Sequence, residues 1–154
     1  MGLYEEMLAK HNYIEIRETD VMPPNLYGVW LGDLILIKRD ISDKLKLEVL
    51  SEELAHHRLS YGDITDISNF NNRKFENHAR RYAKEKLVSL DGIVEAFKQG
   101  IHNLYELANF FEVSEGFALE SLAHYKQKYG VSKQHGDYLI TFEPLRVFKY
   151  ENFE

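Results

Sequence analysis

Glu52 and His56 stand four residues apart in a stretch whose apolar spacing predicts a helix over residues 43–59. At 3.6 residues per turn, side chains four apart lie on one face, close enough to bind one ion. Glu53 sits about 100° around the helix, beside the pair without competing for the same point. Two donors one turn apart with a carboxylate next to them is the spacing of an HExxH zinc helix, where the carboxylate activates water at the metal. Here glutamate stands where that motif has its first histidine. Zinc accepts Asp and Glu oxygens at about 2.0–2.2 Å, so a carboxylate can serve. Its negative charge makes the metal a weaker Lewis acid. The sequence has no cysteine, so any metal must be held by His, Asp or Glu. The plain alternative is an acidic, solvated helix face.

The helix needs elements to position it. Ser42 is a good N-cap, and Asp43 suits the positive end of the helix dipole. Leu47, Leu50 and Leu54 share one face, while Leu45, Val49, Glu52 and His56 share the other, so structure is expected on two sides. Ahead of it, residues 2–11 read as a short amphipathic helix and Tyr13 to Arg17 as a strand. Tyr27 to Trp30 and Leu34 to Ile37 flank Gly32-Asp33, a pair suited to a two-residue hairpin turn. Leu34-Ile35-Leu36-Ile37 is apolar throughout, the mark of a strand covered on both faces. After it, Tyr61-Gly62-Asp63 should end the helix, and the polar residues 64–72 read as a loop. A third helix fits 73–88, with Phe75, Ala79, Tyr82 and Ala83 as its buried stripe.

These segments resemble the ImmA/IrrE-type metallopeptidases of phages and mobile elements, over most of the chain. Gly28 to Ile37 is similar to that family's hairpin, Val49 to His57 to its zinc helix, and Tyr61 to Ile64 to the segment after it. Asn72 to Ala83 resembles the later helix that supplies a third ligand. Many members from Gram-positive phages carry EELGH in place of HExxH, which matches the departure at Glu52. The resemblance implies an α+β, zincin-like fold over residues 1–89. It assigns zinc ligation to Glu52 and His56, and the general base to Glu53. It also implies a protein substrate, a phage-type repressor. His57 reads as a structural neighbour.

Two residues compete as third ligand. Glu76 and His78 lie about equally far from the centre of the buried stripe, on opposite shoulders, so periodicity does not choose. The wider family pattern points at His78. The closer EELGH-type members carry Glu at the place of Glu76, which favours it. Glu-His-His ligation is the better known chemistry, and that keeps His78 in contention.

The second half, 90–154, reads as a helical extension with short C-terminal strands. Helices are expected at Leu90 to Phe97, Leu104 to Phe111 and Glu115 to Tyr129, then strands at Tyr138 to Phe142 and Arg146 to Tyr150. The helix-turn-helix spacing after Leu104 makes a poor DNA reader, because the second helix opens Glu115-Gly116-Phe117-Ala118-Leu119-Glu120 without Arg or Lys. Phe110, Phe111, Val113, Phe117, Leu122 and Tyr125 are more simply a small core.

Composition limits the remaining classes. With 154 residues and 44% hydrophobic content, the chain can bury a core without disulfides. A net charge of −6 opposes binding to phosphate backbones, so no nucleic-acid partner is expected. No membrane span and no signal peptide are read, which places the chain in the cytoplasm. The competing functions are a zinc endopeptidase, a non-catalytic module that grips a regulator, and a DNA-binding regulator, the last opposed by charge.

Overall fold

The computed structural model describes residues 2–62 and 69–149, with side chains for all of these except 60–62 and 69–75. The chain divides into two compact units, Met1–Ala83 and Lys84–Glu154. The described part of the first unit holds α1 (Leu3–Lys10), β1 (Glu15–Thr19), β2 (Gly28–Trp30), β3 (Leu34–Lys38), α2 (Asp43–Gly62) and most of α3 (Asn69–Leu87).

β3 is the central strand of a three-stranded sheet. β1 pairs with it in parallel and β2 antiparallel. That position explains its unbroken apolar run: Ile35 and Ile37 are fully buried, and Leu34 and Leu36 are half-buried. The expected tight hairpin is present. The Leu31 N–H donates to the Leu34 carbonyl at 2.8 Å, and Gly32 takes a φ of 93°, where a side chain would be strained.

α2 begins as its sequence dictates. The Ser42 hydroxyl accepts from the Leu45 N–H at 3.2 Å. Leu47, Leu50 and Leu54 are buried, each contributing about 1.5–3 kcal/mol over an exposed side chain. The opposite face, Leu45, Val49, Glu52 and His56, is half-buried. α2 runs on to Gly62 and α3 starts at Asn69, so 69–72 are helical and not the loop expected. Asn costs at most about 0.7 kcal/mol per residue in a helix interior, a bias that tertiary context overrides. Residues 64–68 of that expected loop, and the Phe75 side chain, lie outside the described residues.

A polar link ties the front of α2 to α1 and β1. Glu18 accepts from the Tyr4 hydroxyl at 2.8 Å and from the Lys46 ammonium at 2.9 Å, while Lys46 also sits over the Tyr4 ring. Burial pushes the Glu18 carboxyl up. The bonds from Lys46 and Tyr4 and the charges of Lys46 and Arg39 outweigh it, holding the carboxyl below its ordinary 4.5. The Lys46 side chain is only 11% exposed, and its ammonium is paired to this carboxylate. Glu18→Gln should cost about 1–3 kcal/mol at pH 7, less than a fully buried pair because Glu18 is partly solvated. A depressed carboxylate stabilises the fold above its unfolded value and loses that contribution as pH falls through the folded one. The difference between wild type and variant should therefore shrink as the pH falls below the ordinary carboxylate value of 4.5. Urea unfolding at pH 7 and pH 3.5 measures both; equal midpoints at pH 7 would refute the link.

The second unit holds the end of α3, then α4 (Leu90–Lys98), α5 (Leu104–Phe111), α6 (Glu115–Tyr129), β4 (Ser132–His135), β5 (Tyr138–Phe142) and β6 (Leu145–Lys149). Ser89, Asn103 and Ser114 cap the three helices through their side-chain oxygens. Phe111, Val113, Phe117, Leu122 and Tyr125 are buried, as expected of a small core, while Phe110, expected with them, is only half-buried. The Tyr125 hydroxyl donates to the Val88 carbonyl at 2.7 Å, and its ring stacks on Tyr129 and Phe142. β4 was not expected. Its Ser-Lys-Gln-His sequence carries no apolar alternation, and it is defined by edge pairing to β5 in an antiparallel sheet of order β4-β5-β6. Tyr150, the expected end of the last strand, lies outside the described residues. Among the described residues, no helix is long and apolar enough to cross a membrane.

Candidate metal centre

The half-buried face of α2 points in two directions. Val49, Glu53 and His57 form a stripe at four-residue spacing, and this stripe meets β2 and its surroundings. Gly28 lies against Val49 and Glu53, and the His57 ring lies near Trp30 and Tyr13, with centroids 6.4 and 6.1 Å away. His56, one position earlier, turns to α3 instead. Its Nε2 stands 3.9 Å from Glu76 Oε1.

The structure thus brings Glu76 beside His56. His78 is exposed, and two residues along a helix places it about 200° around from Glu76. The rotation of α3 is fixed by Ala79 and Ala83, both fully buried. Arg80, one turn beyond Glu76, was missed by the sequence reading; the i,i+4 spacing from Glu76 was the available signal. Its positive charge acts on His56.

The electrostatics follow from burial and crowding. Burial pushes the Glu53 carboxyl up to about 7, and the neighbouring charges of Glu52 and Glu76 push the same way. For His56, burial lowers the imidazole's proton affinity, Glu76 opposes this and Arg80 reinforces it. The net effect is a ring biased to the neutral form, which is the form that ligates a metal.

The carboxylates of Glu52, Glu53 and Glu76 and the imidazole of His56 are donor types that suit a divalent cation in kind. Donors on one tetrahedral zinc are separated by about 3.3–3.4 Å, given bonds of about 2.0–2.1 Å. The His56–Glu76 pair is slightly wider than that. Among the described residues no three His, Asp or Glu side chains already stand close enough to hold a metal ion. Of the candidate donors, His56 and Glu76 are a pair within 4 Å of each other.

The model of the IrrE N-terminal-like domain, Peptidase_M78, matches residues 9–123. The chain belongs to this family. The match spans β1 to β3, α2 and α3, and continues into α6, so it includes every residue of the centre just described. Peptidase_M78 is a metallopeptidase family, which makes a peptidase-type enzyme the general class and a metal its implied cofactor. The α+β architecture of the first unit, a small sheet packed on α2, agrees with the zincin-like fold expected. No curated protein matches the chain.

Proposed function

We propose that this Peptidase_M78 member is a zinc-dependent, site-specific endopeptidase whose substrate is a repressor protein of a phage or mobile element. The observation that carries the reading is the approach of Glu76 to His56 beside the half-buried Glu53. That is one carboxylate–imidazole pair facing a second helix, with a carboxyl group of raised proton affinity next to it.

In this reading Glu52, His56 and Glu76 hold the metal. Zinc, when bound, supplies a Lewis acid that polarises the peptide carbonyl and acidifies the attacking water. The Glu53 carboxylate takes the proton of that water and passes it to the amide nitrogen as the C–N bond breaks. Arg80 adds a positive charge beside Glu76. The partner is a protein and not a nucleic acid, in keeping with the −6 charge and with Glu115 and Glu120 exposed on α6.

The test is incubation of the full chain with a repressor encoded beside it. Cleavage at one position is expected, abolished by a chelator and restored by Zn²⁺. A second reading, a non-catalytic module that grips the repressor, draws on Glu52 in the place of a histidine and on the absence, among the described residues, of three His, Asp or Glu side chains close enough to hold a metal ion. Tight binding with no cleavage under zinc would select it.

A further inference from the structure

Gly28 opens β2, and its backbone is that of an ordinary strand, outside the positive-φ region occupied by Gly32, Gly100, Gly130 and Gly136. Conformational freedom therefore does not explain a glycine there. Space does. A Cβ placed on Gly28 would lie 2.3 Å from Val49 Cγ1, 3.4 Å from the Leu36 carbonyl oxygen and 3.5 Å from Glu53 Cγ. The first distance is impossible for two carbons. Val49 is β-branched, so its methyl cannot swing aside without leaving its preferred rotamer. Any side chain at 28 must lift β2 from α2 or displace Val49.

The same contact bears on Glu53, one turn after Val49 on the same stripe. With no side chain at 28, the β2 backbone closes over the base of the Glu53 side chain. One alternation further along β2, Trp30 meets His57, one turn beyond Glu53. Two strand residues, Gly28 and Trp30, thus meet three successive positions of the helix stripe, and Glu53 is the middle one.

We infer that Gly28 is a positioning residue: its missing side chain lets β2 seat against α2 and fixes where the Glu53 carboxyl is held. The inference rests on the function proposed above for the role of Glu53, but the placement itself can be measured without activity. A side chain shifted by about 1 Å at a reacting centre can cost about a hundredfold in rate. Gly28→Ala should therefore act on turnover far more than on binding.

The test compares wild type, Gly28→Ala and the double variant Gly28→Ala/Val49→Ala, in which the space taken at 28 is returned at 49. Wild type should show nuclear Overhauser contacts between the Gly28 Hα and Glu53 Hγ protons. Gly28→Ala should lose the wild-type Glu53 Hγ shifts and contacts and drop kcat about thirtyfold or more. Its KM and its affinity for Zn²⁺ alone should stay within about threefold, the signature of a change confined to the reacting step. The double variant should recover a contact from position 28 to Glu53 and bring kcat back to within about fivefold of wild type. Unchanged kcat in Gly28→Ala would overturn the inference. So would a double variant that regains melting temperature without regaining kcat, because Gly28 would then be only structural. If wild type cleaves nothing, the proposed function fails, and the proton contacts alone judge the placement: Glu53 shifts unaltered by Gly28→Ala would reject it.

Discussion

Replacing Glu53 with glutamine should leave fold and zinc content intact and lower cleavage by about a hundredfold or more, the range of general acid–base catalysis. Glutamine keeps the shape that β2 closes over, so the seating of α2 is preserved. What it loses is the ability to take a proton. In the metal-free protein the Glu53 carboxyl is pushed up to about 7 by burial and by Glu52 and Glu76. That places it near the pH at which a base can both accept and return a proton. The substitution also removes a carboxyl group that its surroundings disfavour in ionised form, so the melting temperature of the metal-free variant should not fall at neutral pH. Single-turnover cleavage, metal analysis and thermal unfolding measure the three quantities. Equal cleavage by both proteins would remove Glu53 from the mechanism.

His56→Ala should take the zinc content from about one per chain to almost none, an affinity loss beyond about a hundredfold. The loss of even an outer partner of a metal ligand costs about 10–100-fold, and His56 is the only imidazole among Glu52, Glu53, His56 and Glu76. Its removal leaves carboxylates alone, a set better suited to hard cations than to zinc. Glu76→Ala should weaken zinc binding as well, while His78→Ala should not, because the rotation of α3 turns His78 away from His56. Elemental analysis of protein purified without chelator decides this. Full zinc in His56→Ala would refute the assignment, and loss in His78→Ala with retention in Glu76→Ala would exchange the third ligand.

Much of the local structure is written in short-range pattern. Gly32-Asp33 between two apolar runs specifies the hairpin, because only a residue free to take positive φ fits the first turn position. Ser42, Ser89, Asn103 and Ser114 start their helices because side-chain oxygens satisfy N–H groups that a helix leaves open. The four-residue spacing of Glu52 and His56, with Glu53 between, follows from helix geometry alone. Where the pattern was thin, the reading missed. Asn-rich 69–72 is helical because weak propensity yields to its surroundings, and polar β4 is a strand because β5 offers it hydrogen bonds.

The sequence by itself determined which side chains α2 carries and on which sides of the helix they lie. Only the tertiary structure decided what they meet. Glu76 and His78 flank the apolar stripe of α3 almost symmetrically, so no periodicity separates them; burial of Ala79 and Ala83 sets the helix rotation that brings Glu76 to 3.9 Å from His56. The meeting of Gly28 with Glu53 likewise joins residues far apart in the chain. It depends on β2 taking the edge beside β3 and on both packing against α2, a long-range arrangement that no local window of sequence encodes.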